Sequence, residues 1–154
     1  MTATPAALPT YNANMPPVRV CTYNELSTHD MVRINANLEE CSTNYEGMTC
    51  EDCKTSIFVF IDKVFLVLDV HKHRKGNELF VTWLGGLGFT KLRFVIRDTL
   101  KDVAKQNNCR WLGGTIRRRK LQHMYRSIGI ELDSCFMVEC DSITRDDKRE
   151  KESA

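Results

Sequence analysis

The chain has 154 residues, 42% of them apolar and 27% charged, and a formal net charge of +2. That length suits one globular domain with one substantial core, and so small a net charge excludes a chain that holds a polyanion by bulk charge alone. The longest apolar stretch, SIFVFIDKVFLVLDV, is broken by Asp62 and Lys63, which excludes a membrane-spanning helix there.

In chain order, residues 1–17 hold all four prolines and few large apolar groups, and an extended arm is expected. They lack the cationic start and apolar run of an export signal. Seven irregularly spaced cysteines suit a reducing compartment, so a cytoplasmic protein is expected. VRVCTY (18–23) reads as a strand. Ser27-Thr-His-Asp30 matches the S-x-x-D helix start, and Met31, Ile34, Leu38 and Cys41 follow at helical spacing.

SIFVFI and VFLVLDV flank Asp62-Lys63 and predict an antiparallel hairpin. HKHRKGN is taken as a polar loop before a third strand, ELFVTWL (78–84). The turn GGLG (85–88) leads into residues 90–108, where Leu92, Val95, Ile96, Leu100 and Val103 share one helical face, with Asn107-Asn108 as the stop. CRWL (109–112) is a short strand, 118–128 a helix ended by Gly129, and ELDSCFMVE (131–139) a last strand. The expected class is α/β with an α+β mixed sheet, in the order β-α-β-β-β-α-β-α-β. The domain is placed at 18–140, followed by a charged tail at 141–154.

Several groups carry chemistry. A strand that feeds a glycine turn and then a long helix leaves backbone N–H groups free, which suits a phosphate, although glycine there also serves a plain tight turn. Arg117, Arg118, Arg119 and Lys120 suit a CoA phosphate, nucleic acid, an acidic protein surface or a solvated helix start. Successive helical residues turn by about 100°, so only some of the four share a face. Cys50 and Cys53 form a C-x-x-C, and His71 and His73 add two further soft-metal ligands. The spacing matches no known zinc module, and no metal is expected. Glu78, His71 and His73 are the available general bases, and Tyr125 is either a core tyrosine or a general acid.

The element order, the hairpin, the glycine turn before a long helix, and the closing Tyr-Arg-Ser-Ile-Gly resemble the GCN5-related N-acetyltransferase (GNAT) fold. The resemblance implies that acyl-CoA enters between strands 78–84 and 109–112 and that its pyrophosphate lies on the glycine turn. Gly86 and Gly88 match the family's G-x-G, and Phe89 and Thr90 follow them into the cofactor site. It also implies that Tyr125 protonates the departing thiolate and that a base on or near the central strands takes the amine proton, for which Glu78 is chosen among Glu78, His71 and His73. Trp83 stands where the family has Arg or Gln, Arg118 where it often has Asn, Leu121 where it has Ala and Ile130 where it has Phe.

Phe80-Val81-Thr82, the long basic helix and the short helix ending at Ile128-Gly129 are also similar to the acyltransferase-like internal virion proteins of short-tailed phages. Two functions are therefore carried forward. The first is a noncatalytic or degenerate GNAT-like component of a phage particle or other assembly, partnered by other virion proteins in the host cytoplasm or the virion. The second is an acetyl-CoA-dependent N-acyltransferase with Tyr125 as general acid.

Overall fold

The computed structural model describes residues 16–41, 50–115, 119–130 and 135–143. The expected arm and tail, together with Arg117 and Arg118, therefore lie almost wholly outside the described residues. The fold is of the mixed α+β class, with strands β1 (Val18–Thr22), β2 (Ile57–Ile61), β3 (Val64–His73), β4 (Gly76–Gly86), β5 (Cys109–Thr115) and β6 (Cys135–Glu139). Its helices are α1 (Thr28–Cys41), α2 (Arg93–Gln106) and α3 (Arg119–Ser127). The strands are hydrogen-bonded in the order β1-β2-β3-β4-β5-β6. Two compact units divide the chain, Met1–Asp69 with Val81–Gly88, and Val70–Phe80 with Phe89–Ala154.

In the first unit β1, β2 and β3 are successively antiparallel, and Ile61 pairs with Val64 so that Asp62 and Lys63 alone make the turn. Asp62 takes a left-handed φ of 52°, which a short polar side chain tolerates better than a branched one. The period-3.6 pattern of α1 buries Ile34 and Leu38 among Cys21, Cys53, Phe58, Phe60, Phe65 and Val67.

The start of α1 is a capping box. The Asp30 N–H donates to Ser27 Oγ (3.0 Å), and the Ser27 N–H donates to Asp30 Oδ2 (2.9 Å). Arg19 of β1 adds two bonds to the same carboxylate, of 3.1 and 2.7 Å, while its guanidinium lies 4.2 Å from the Phe60 ring centroid. The Arg19 hydrogen bonds hold the Asp30 carboxyl at about 2, well below the usual carboxylate range, against the opposing effect of burial.

In the second unit α2 buries Val95, Ile96, Leu100, Val103 and Ala104. It ends where expected, with Asn107 Nδ2 donating to the Val103 carbonyl (2.8 Å) and Asn108 at a φ of 54°. Its start is Arg93 rather than Thr90. Among its buried polar atoms Thr99 Oγ1 has no hydrogen-bond partner. Helix α3 closes with the paired bonds of a Schellman stop, from Ile130 N–H to the Tyr125 carbonyl (3.0 Å) and from Gly129 N–H to the Arg126 carbonyl (3.1 Å).

Two expected boundaries are corrected. HKH is not loop: His71 and His73 belong to β3, and only Arg74 and Lys75 connect it to β4. Alternation is invisible when both faces of a strand tip are polar, so strand pairing decides the matter rather than local pattern. Strand β5 extends past Leu112 through Gly113 and Gly114, because these pair with Met137 and Phe136 of β6. The described part of β6 begins at Cys135, and residues 131–134 lie outside the described residues.

Candidate active site

Glu78 stands near the start of β4 and is only 6% exposed. A buried carboxylate is costly unless it is partnered, and this one meets two histidines of β3. His73 Nε2 lies 2.8 Å from Glu78 Oε1, and His71 Nδ1 lies 3.6 Å from the same oxygen. The first distance is a hydrogen bond, whereas the second is an electrostatic approach outside hydrogen-bond range. Both imidazoles reach solvent, with side chains 46% exposed at His71 and 42% at His73. Residues two apart on a strand face the same side, which is why both rings converge on one carboxylate.

Aromatic side chains hold the rings. His71 stacks on Phe80 with centroids 4.8 Å apart and planes at 23°, and His73 meets Trp111 of β5 edge-on at 6.2 Å. Trp111 is covered by the Arg110 guanidinium at 5.0 Å, and Arg110 is fixed by Glu139 at 2.8 Å. The Glu78 carboxylate lies over Gly113 of β5: a Cβ at Gly113 would be 1.8 Å from Glu78 Oε2. Sequence reasoning misses Gly113, Phe80 and Trp111 as parts of the site. The Gly113-Gly114 pair inside a strand is the available signal, since glycine there often marks a close approach.

Tyr125 is buried in α3, with its ring 5.0 Å from that of Phe136. Burial pushes its hydroxyl above the ordinary tyrosine range, so it stays protonated at neutral pH. Cys109 is not a nucleophile candidate, because burial first, then Cys140 and Glu78, push its thiol up and disfavour the thiolate.

The glycine turn divides into parts with different explanations. Gly86 has a φ of +97°, and a Cβ there would lie 2.0 Å from the Lys63 carbonyl oxygen. That same oxygen accepts the Leu87 N–H at 3.1 Å, so this amide is committed within the protein. Gly88 also has positive φ, +88°, but a Cβ there would meet open space.

Phe89 is buried and Thr90 exposed, in the segment before α2. The N-cap of α2, Leu92, supplies no side-chain cap, and its first turn carries no acid while Lys91 and Arg93 bring cations. Helix starts of that kind favour anions. Trp83, in place of the family's Arg or Gln, donates its Nε1–H to Asn37 Oδ1 of α1 at 2.9 Å and packs on the first unit's core.

Cys53 is a buried free thiol pushed up by burial. No group of three or more metal-ligating side chains suited to a metal ion occurs among the described residues. Arg119 and Lys120 are exposed on α3. No described helix is long and apolar enough to cross a membrane.

The fold belongs with known mixed α+β structures. A crystal structure of a point mutant of TTHA1254 from Thermus thermophilus matches with a TM-score of 0.52 and 14% identity, over 75% of this chain and 90% of that one. A chain from the structure of the AtaT-AtaR complex bound to DNA matches with a TM-score of 0.55 and 12% identity, over 82% of this chain and 95% of that one. At such identities the likeness is one of fold. No family model matches the chain, and no curated protein does.

Proposed function

We propose that the protein is an acyl-CoA-dependent N-acyltransferase of the GNAT-like type, with Glu78 as general base and Tyr125 as general acid. The observation that carries this reading is the Glu78 carboxylate, 6% exposed on β4 and held through Oε1 by His73. A buried carboxylate partnered by solvent-reaching imidazoles is suited to taking a proton and passing it on. The sequence resemblance to the GNAT fold and the fold likeness to solved structures support the same reading.

In the proposed reaction the amine nitrogen attacks the thioester carbonyl, and the C–N bond forms as the C–S bond breaks. The amine proton passes to Glu78, the thiolate takes the Tyr125 proton, and the tyrosinate regains a proton from water before the next turnover. Acetyl-CoA would be held at the cationic start of α2, where Thr90 is exposed beside Lys91 and Arg93. The Leu87 amide would not contribute, because it is committed to Lys63.

A noncatalytic role in a phage particle rests on terminal segments outside the described residues and on a likeness of sequence pattern, and the site geometry adds nothing to it. Thermal unfolding with and without millimolar acetyl-CoA tests the binding half of the proposal. A ligand that binds only the folded chain raises the melting temperature, so a rise is expected and an unchanged transition contradicts it.

A further inference from the structure

The Glu78 carboxylate has two imidazole neighbours that differ in reach. His71 Nδ1 stands 3.6 Å from Oε1, and its ring is stacked on Phe80. His73 Nε2 is in hydrogen-bond contact with the same oxygen at 2.8 Å, and its side chain is 42% exposed. A base buried this deeply must return its proton to water before another turnover. Of the two rings, only that of His73 both touches the carboxylate within bonding distance and opens to solvent.

We infer that His73 is a proton carrier, taking the proton that Glu78 receives from the acyl acceptor and delivering it to bulk water. The inference rests on the acyltransferase reading given above. At rest the His73 Nε2–H donates to the Glu78 carboxylate. Once the acceptor's proton is on Glu78, the exposed ring exchanges with solvent to the Nδ1–H tautomer, and its freed Nε2 accepts the proton from the carboxylic acid. The resulting imidazolium releases its Nδ1 proton to water, which restores both the carboxylate and the Nε2–H donor. Only protons move, and no oxidant or reductant is needed. His71, stacked on Phe80, is a positioning residue that stands near Oε1 without bonding to it.

A carrier differs from a prop in what can replace it. Glutamine at 73 retains a donor for Glu78 but cannot be protonated and deprotonated in turn, whereas free imidazole can do the second task in a cavity left by alanine. The experiment follows CoA thiol release from acetyl-CoA with three acceptors, an aliphatic diamine, an arylethylamine and a tripeptide with a free amino terminus. It compares wild type, His73→Ala, His73→Gln and His71→Ala.

The expected result is turnover by wild type with at least one acceptor and a roughly tenfold to hundredfold loss of kcat in both His73 variants. KM should be little changed, and added imidazole should restore kcat in His73→Ala but not in His73→Gln. The His71→Ala loss should be smaller. Turnover by wild type with full activity in His73→Gln, or with no imidazole rescue of His73→Ala, overturns the carrier role and leaves the transferase reading standing. No thiol release by wild type above heat-inactivated protein, with any of the three, overturns both.

Discussion

Glu78 Oε2 occupies the space that a side chain on Gly113 would need, 1.8 Å from the ideal Cβ position. The carboxylate of β4 thus lies on the backbone of β5, and the absence of a side chain at residue 113 is a condition of the site. Because the obstructed group is the far end of a flexible side chain, Gly113→Ala should displace the carboxylate rather than break the sheet. Turnover is expected to fall about a hundredfold, in the range of a lost general base. The urea midpoint should move little, and the two measurements together separate displacement from unfolding.

Gly86 is a different case, since the atom in the way is the Lys63 carbonyl oxygen and the φ of +97° disfavours any side chain. Gly86→Ala is expected to cost roughly 2–4 kcal/mol of stability through backbone strain and forced separation of the β2–β3 turn. Chemical denaturation measures it. Gly88→Ala, with open space around the position, should cost no more than the ~1–2 kcal/mol of the left-handed conformation itself.

What can be read from the chain is local. The capping box at Ser27 and Asp30, the two-residue turn at Asp62-Lys63 and the stops at Asn108 and Gly129 each depend on neighbours within a few residues, and each is found where the side-chain chemistry places it. Glu78 and Tyr125 stand out as chemistry, but nothing local shows that His71 and His73 share a strand face with one carboxylate. The run HKHRK is polar at every position and carries no period of two. The glycine turn is ambiguous for a related reason: the oxygen that requires Gly86 belongs to Lys63, 23 residues away in sequence, and only the folded chain brings them together.

The Arg19–Asp30 pair predicts acid sensitivity with a definite sign. The Asp30 carboxyl is held at about 2 in the folded chain, against an ordinary value of 3.8. A carboxyl lowered in the folded state contributes stability that is fully present above its unfolded value and is lost as pH falls through the folded one. Unfolding free energy should therefore decline between about pH 4 and pH 2 by roughly 1–2 kcal/mol from this group, a figure reduced because Arg19 is half exposed and screened by solvent. Asp30→Asn should be less stable than wild type at neutral pH and should lose this part of the decline.

Tyr125 gives a prediction of opposite slope. Burial raises its hydroxyl above the ordinary value of 10.0, so its contribution is intact below that pH and is lost as pH rises beyond it. Tyr125→Phe should keep the fold, flatten the alkaline loss of stability and lower turnover about a hundredfold if the hydroxyl protonates the leaving thiolate. Thermal melts at pH 9 and pH 11, with CoA release at neutral pH, measure the three effects.

The most direct measurement of the central claim is the rate of CoA thiol release from acetyl-CoA by wild type and Glu78→Gln, with both proteins shown to be folded by circular dichroism. Glutamine keeps the shape and a partner for His73 while removing the basic oxygen. Wild type should release thiol only with an acceptor present, and Glu78→Gln should lose about a hundredfold or more in kcat. Equal rates in the two proteins, or no release by wild type, would contradict it.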